Sequence, residues 1–320
     1  MSRKFTVALL CVVALCYAAC RSSSTKQSLS KMVPLNSVVV ATVDWKAVSR
    51  DDNLKRVIQG EELERAFRQL DVAASEVSEV VTFSDGQGSP GASTGMLLRG
   101  AFDAPGVASG LKAKGWAEQG GGRRRIYTDP GGGACLVALR RNLLAIGTRV
   151  GVEGVLAAER EPAESFASNP TYLKLAPHMK AQSYPVSIVA AFSVETQDMA
   201  AAAIEMSSVV IDFAGAGPLG DLIKKIGYVR GFGCSISRAG DGLPIEFLAL
   251  MKDEESARLV SGSLNLLKEL GEMVPDRNFL PADKEAVKRV QKMSVNRKKE
   301  VLSIHFTMPI ESVDGNYRRR

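Results

Sequence analysis

The stretches SVVVATV, residues 37–43, and SIVAAFS, residues 187–193, begin 150 positions apart and share one character. Each is rich in β-branched residues, reads as a strand, and ends on a polar residue that leads into a helix. Working outward, the same order of elements follows twice. Leu63, Ala66, Phe67 and Leu70 stand at i, i+3, i+4 and i+7, one apolar stripe of a helix, and Leu219, Leu222, Ile223 and Ile226 repeat that spacing. A strand comes next in each half, VSEVVTFSD and then RGFGCSIS. Beyond a loop rich in Gly and Pro, GMLLRGAFD at 95–103 corresponds to IEFLALMKD at 245–253, again 150 positions on.

Both of those strands end in an aspartate, Asp103 and Asp253, placed to cap the following helix through its carboxylate. The second helix is clear from Ala257, Val260, Leu264, Leu267 and Leu270. The first, from about Pro105 to Lys114, is shorter and carries Gly106 and Gly110. Hairpins close each half: RRRIYT, the turn DPGGG, ACLVAL, the turn RRN and LLAIGTRV in the first, and VKRVQKMSV, the turn NRKKE and VLSIHFTM in the second. Gly and Asn serve such reversals because they accept positive φ at little cost. The predicted fold class is α+β, two tandem copies of an antiparallel sheet with helices packed on one face. The predicted boundaries are 34–158 for the first repeat, 159–183 for a linker with a short helix near Thr171 to Leu175, 184–314 for the second repeat and 315–320 for a basic tail. The tandem layout loosely resembles uncharacterised extracytoplasmic proteins of bacteria, a likeness that implies no activity.

The start of the chain supplies an address. Arg3 and Lys4 precede an apolar run from Phe5 to Leu15, and the small residues Ala18 and Ala19 follow, the layout of a secretory signal peptide over 1–19. The run is shorter than the roughly 20 residues a spanning helix needs. Tyr17-Ala18-Ala19-Cys20 resembles the lipobox of bacterial lipoproteins, with Tyr17 standing where that family usually has an aliphatic residue. The resemblance implies that the Cys20 thiol carries lipid, that the chain is cut just before it, and that the freed amine is acylated as well. An ordinary signal peptide cut after Ala18, giving a secreted or periplasmic soluble protein, is the alternative. Residues 20–33 are then the lipidated cysteine and a polar tether, too poor in apolar side chains to fold. Arg21 is not the aspartate that in that family resembles an inner-membrane retention signal, so the expected site is the outer membrane.

Across 320 residues the chain is 45% hydrophobic, with a net charge of +6 and five cysteines. That is enough apolar material for one large or two ordinary cores. Beyond Cys20 only Cys135 and Cys234 remain, in strand-like runs, and they read as buried free thiols rather than a bridge. Given the address, the basic balance points to anionic lipid, lipopolysaccharide or cell-wall polymer as partner, and no nucleic acid is expected. The clusters Arg123-Arg124-Arg125, Arg140-Arg141, Arg297-Lys298-Lys299 and Arg318-Arg319-Arg320 read as solvated loop or terminal charge.

Strings that carry chemistry elsewhere lack their context here. Gly86 to Gly91 spells G-x-G-x-x-G, but a strand follows it where a dinucleotide site needs a helix. Arg230-Gly231-Phe232-Gly233 begins like an RNA-binding strand, yet Cys234 and Ser237 stand where stacking aromatics belong, so close packing at the glycines is expected. S-x-x-K occurs at Ser23, Ser28 and Ser109 without the K-T-G that accompanies it in penicillin-binding enzymes. His178 and His305 have no metal-ligand spacing. Asp51-Asp52 and Glu61-Glu62 lie at helix starts, where negative charge is favoured, and Trp45 and Trp116 read as packing residues. No catalytic, cofactor-binding or metal residue is nominated and no cofactor is expected. The single site residue is Cys20, for lipid. The expected function is a non-enzymatic binding or scaffolding module held in the envelope through Cys20, with an envelope protein, anionic lipid or wall polymer as partner. The alternative is a hydrolase with its site at the junction of the two repeats.

Overall fold

The computed structural model describes residues 27–86, 92–120, 124–179, 184–192, 228–238, 240, 242–273 and 292–309. The expected signal, Cys20, the expected helix stripe at Leu219 to Ile226 and the basic tail lie outside them.

The described strand-like runs form strands, although of VKRVQKMSV only Ser294 and Val295 do so and residues 287–291 lie outside the described residues. The first half contributes β1 (Val39–Asp44), β2 (Val77–Ser84), β3 (Thr94–Gly100), β4 (Ala117–Gln119), β5 (Ile126–Thr128), β6 (Cys135–Arg140) and β7 (Leu143–Gly147). The second contributes β8 (Val186–Ala191), β9 (Val229–Ile236), β10 (Gly242–Met251), β11 (Ser294–Lys298) and β12 (Val301–Pro309). The α+β class and the antiparallel pairing are as expected. All twelve strands among the described residues share one sheet, in the order β11-β12-β10-β9-β8-β1-β2-β3-β7-β6-β5-β4. The two halves meet at a strand pair, Val39 opposite Ala190 through Val43 opposite Val186, so their junction is a ladder of backbone hydrogen bonds. Outward from that seam the strands run β1-β2-β3-β7-β6 on one side and β8-β9-β10-β12-β11 on the other, the same order of connection.

Helices lie on both faces rather than on the one face expected, which is why the central strands have little polar alternation. Strand side chains alternate between faces, and Val81, Phe83, Leu97, Val137, Ala145 and Val189 fall in one core while Val80, Leu98, Leu136, Leu144 and Val186 fall in the other. On the second face lie α2 (Trp45–Val48), α3 (Asp52–Val57), α4 (Gly60–Gln69) and α5 (Ala104–Ala113). Trp45 is fully buried there, packs edge-on against Phe67 at 5.2 Å and donates its indole N–H to the Ala74 carbonyl at 2.9 Å. Helix α8 (Glu254–Met273) buries Ala257 and Val260 against β10 and β12 in a smaller cluster.

The first face is closed by segments that read as tether and linker. Helix α1 (Gln27–Ser30) buries Leu29, and Met32 and Val33 follow it into the core. From the 159–183 segment, Phe166, Leu175 and Met179 join the same cluster, together with Val152 and Val155 of α6 (Arg149–Arg160). The two segments are tied by backbone bonds, Phe166 N–H to Val33 O at 2.8 Å and Leu35 N–H to Glu164 O at 2.8 Å. Leu29, Met32 and Val33, expected to belong to the tether, are therefore part of the core. Helix α7 (Pro170–Leu175) stands where the short linker helix was expected.

The capping readings hold. Asp103 accepts from Gly106 N–H at 3.2 Å, Asp253 from Ser256 N–H at 2.7 Å, and Asp51 from Asn53 and Leu54 N–H at 3.0 and 3.1 Å. The last hairpin differs. Lys298 pairs with Val301, so NRK belongs to β11 and the reversal is the two residues Lys299 and Glu300, with Lys299 at φ 54°.

Candidate functional site

The sequence nominated Cys20 alone, and it lies outside the described residues. Elsewhere the structure gathers charge that is far apart in the chain. Arg124, between β4 and β5, reaches the C-terminal turn of α6 and pairs with Glu159, Nη2 to Oε1 at 2.7 Å and Nη1 to Oε2 in a second contact. Arg140 ends β6, where a bulge between Ala138 and Arg140 shifts the register and re-aims the last residue. Arg160 is the last residue of α6, and its Nε donates to the Leu156 carbonyl at 3.1 Å. These groups, with the side of Leu156, line an open pocket of about 560 Å³.

Three guanidinium groups against one carboxylate leave this pocket positive. Burial, and then the charges of Arg140 and Arg160, hold the Arg124 guanidinium below its ordinary value. The crowding of like charge is real, and Glu159 answers only one of the three. Deeper in the sheet the pattern continues: Arg99 of β3 is lowered by burial, raised by Glu79 and lowered again by Arg140, and its Nη1 lies 3.1 Å from Glu79 Oε2. Planar forks of this kind match the oxygens of phosphate and carboxylate groups.

The solvated-loop reading of the basic clusters is thus corrected for Arg124, half-buried in the pocket wall, while Arg140 of the same wall is exposed. It stands closer to the mark at Arg297, an exposed partner of Glu254 at 3.0 Å. Arg123 and Arg318 to Arg320 lie outside the described residues. No local string could have found the pocket, because Arg124, Arg140 and Arg160 converge only through the sheet and α6.

The remaining nominees are settled by placement. Cys135 and Cys234 are free, and burial pushes the Cys234 thiol up. Ser109 and Lys112 sit exposed on α5. Of the G-x-G-x-x-G string only Gly86 is described, in a loop at φ 75°. The glycines of RGFG pack closely: a Cβ on Gly231 would come within 2.6 Å of the Ala190 carbonyl, and one on Gly233 within 3.0 Å of Met179 Sδ. His305 lies in β12 with Nε2 3.6 Å from Glu246 Oε1 of β10. Among the described residues no three His, Cys, Asp or Glu side chains are grouped to hold a metal ion, and no helix is long and apolar enough to cross a membrane.

No protein-family model matches the chain, and no curated protein matches it. Among solved structures it is similar to three crystal forms of TP0453, a Treponema protein. Crystal form III is 7% identical, with 87% of this chain and 94% of that chain covered and a TM-score of 0.45. Crystal form I is 10% identical over 88% and 94% at 0.44, and crystal form IV 8% identical over 89% and 96% at 0.46.

Proposed function

We propose that this chain is a bacterial envelope module, held at a membrane by lipid on Cys20, that binds a phosphate-bearing envelope component in the pocket of Arg124, Arg140 and Arg160. The observation that carries the binding half is the imbalance in that pocket, three guanidinium groups and one carboxylate around about 560 Å³. Arg124 is already engaged by Glu159, so it serves as a fixed wall. Arg140 and Arg160 are exposed at the rim and supply the free forks. Phosphate is the favoured group because two guanidinium planes can share its oxygens and because a phosphate keeps its charge throughout the physiological range. The anchoring half rests on the lipobox-like residues Tyr17 to Cys20 and on a lipid's contribution of about 0.8 kcal/mol for each buried CH₂.

One experiment reads both halves. The wild-type chain incorporates a fatty-acid analogue in a bacterial host and Cys20→Ser does not, because a serine oxygen cannot form the thioether. The unacylated Cys20→Ser chain still floats with phosphatidylglycerol vesicles and not with phosphatidylcholine vesicles. Adding Arg140→Ala and Arg160→Ala removes that flotation. Equal labelling of wild type and Cys20→Ser contradicts the anchor. Flotation unchanged by the two arginine substitutions contradicts the pocket.

A further inference from the structure

The arginine pocket offers its ligand two open forks, and that number decides which kind of phosphate it suits. Arg124 is already engaged: both of its Nη groups meet the Glu159 carboxylate, and the half-buried pair is a neutral wall. Arg160, the last residue of α6, commits its Nε to the Leu156 carbonyl at 3.1 Å, which ties the side chain to the helix end and leaves its two Nη groups. Arg140 follows the bulge that sets it opposite Leu143 at the end of β6. Both are exposed, and among the described residues neither forms an ion pair with a carboxylate.

A guanidinium that donates two parallel N–H bonds needs a pair of oxygens on one phosphorus. A phosphate diester has two non-bridging oxygens, hence a single such pair, and one fork fills it. A phosphate monoester has three, which make three pairs, so two forks can each hold a pair by sharing one oxygen. The charges agree with the geometry. Arg140 and Arg160 add two positive charges to the neutral Arg124–Glu159 pair. A monoester carries about −1.5 to −2 at pH 7, whereas a diester carries a single negative charge. The pocket of about 560 Å³ is open and far larger than one phosphate group, so the alcohol part of the ester stays in its mouth.

We infer that this pocket selects terminal phosphate monoesters over phosphate diesters, with Arg140 and Arg160 each holding a pair of the three free oxygens. The inference rests on the phosphate-binding reading above and narrows its ligand class.

Calorimetry of the full chain with glycerol 3-phosphate, a monoester, and glycerophosphoglycerol, its diester counterpart, tests this. The wild-type chain binds the monoester at least tenfold more tightly. Arg140→Lys and Arg160→Lys each keep the charge and lose the fork, and either one brings the two affinities within threefold of each other. Equal affinity for the two esters, both lost when Arg140→Ala and Arg160→Ala are combined, overturns the monoester assignment and leaves the phosphate pocket standing. A preference undiminished by the lysine substitutions overturns it too. Absence of saturable binding by either ester removes the pocket and the inference together. Vesicles separate the sources of the monoester. Flotation that is stronger with phosphatidic acid than with phosphatidylglycerol at equal surface charge assigns it to a lipid headgroup, and preferential glycerol 3-phosphate binding without that difference assigns it to a soluble molecule or polymer; either result upholds the selectivity.

Discussion

A single carboxylate shows how the fold uses charge. Asp51 caps α3 through Asn53 and Leu54 N–H and also meets Arg238 Nη1 at 2.7 Å, joining the first helical layer to the loop after β9. Burial works to raise the Asp51 carboxyl, but the Arg238 hydrogen bond and charge and the two backbone N–H groups outweigh it and hold it below the ordinary value. The sign follows from linkage: a carboxyl that is more acidic folded than unfolded contributes stability above the unfolded value of about 3.9, and loses it as pH falls through the folded value. Arg238→Ala therefore lowers stability near neutrality and moves the midpoint of acid unfolding to higher pH, the loss fading as pH falls through the folded value, as followed by circular dichroism in denaturant at pH 7 and across an acid titration. An unshifted midpoint means that the Asp51 caps alone set its acidity. The capping role was legible in the sequence, since an acidic residue before a helical stripe has one common use. Its partner 187 residues away was not.

At the scale of elements, sequence and structure part where a segment's polarity misleads. The residues RSSSTKQSLSK look like solvated tether, yet Leu29 is fully buried and Met32 and Val33 follow it. Three apolar residues in a polar stretch are too few to show a period, and only the waiting groove between α6 and the 166–179 segment gives them a place. The same holds for Glu246: one charge inside IEFLALM was the visible signal, but its polar neighbours, Ser235 of β9 and His305 of β12, come beside it only through cross-strand register. If the N-terminal segment is core, Leu29→Ala costs about 2–5 kcal/mol, the range for truncating a buried leucine. Urea denaturation reads this directly as a lowered midpoint at unchanged slope. A loss under 0.5 kcal/mol, the size of an ordinary surface change, contradicts the packing described for α1.

For the whole molecule, the order of strands was readable because period and punctuation survive in the sequence, and the closing of the two halves into one sheet was not. SVVVATV and SIVAAFS carry no mark saying that they pair with each other, though they do, from Val39–Ala190 to Val43–Val186. We propose that the matching orders on the two sides of this seam descend from one duplicated unit. The two halves then bear different chemistry: the β3–β7–β6 side carries arginines against α6, and the β9–β10–β12 side carries Glu246 between Ser235 and His305. The functional account rests most heavily on the first of these, and calorimetry with glycerol 3-phosphate tests it most directly. The account predicts saturable binding to the wild-type chain that weakens as salt is raised, at least a tenfold loss in the Arg140→Ala, Arg160→Ala chain, no binding of glycerol, and no change with Glu246→Gln. Glycerol 3-phosphate binding that is absent from the wild type, or equal in the doubly substituted chain, contradicts it.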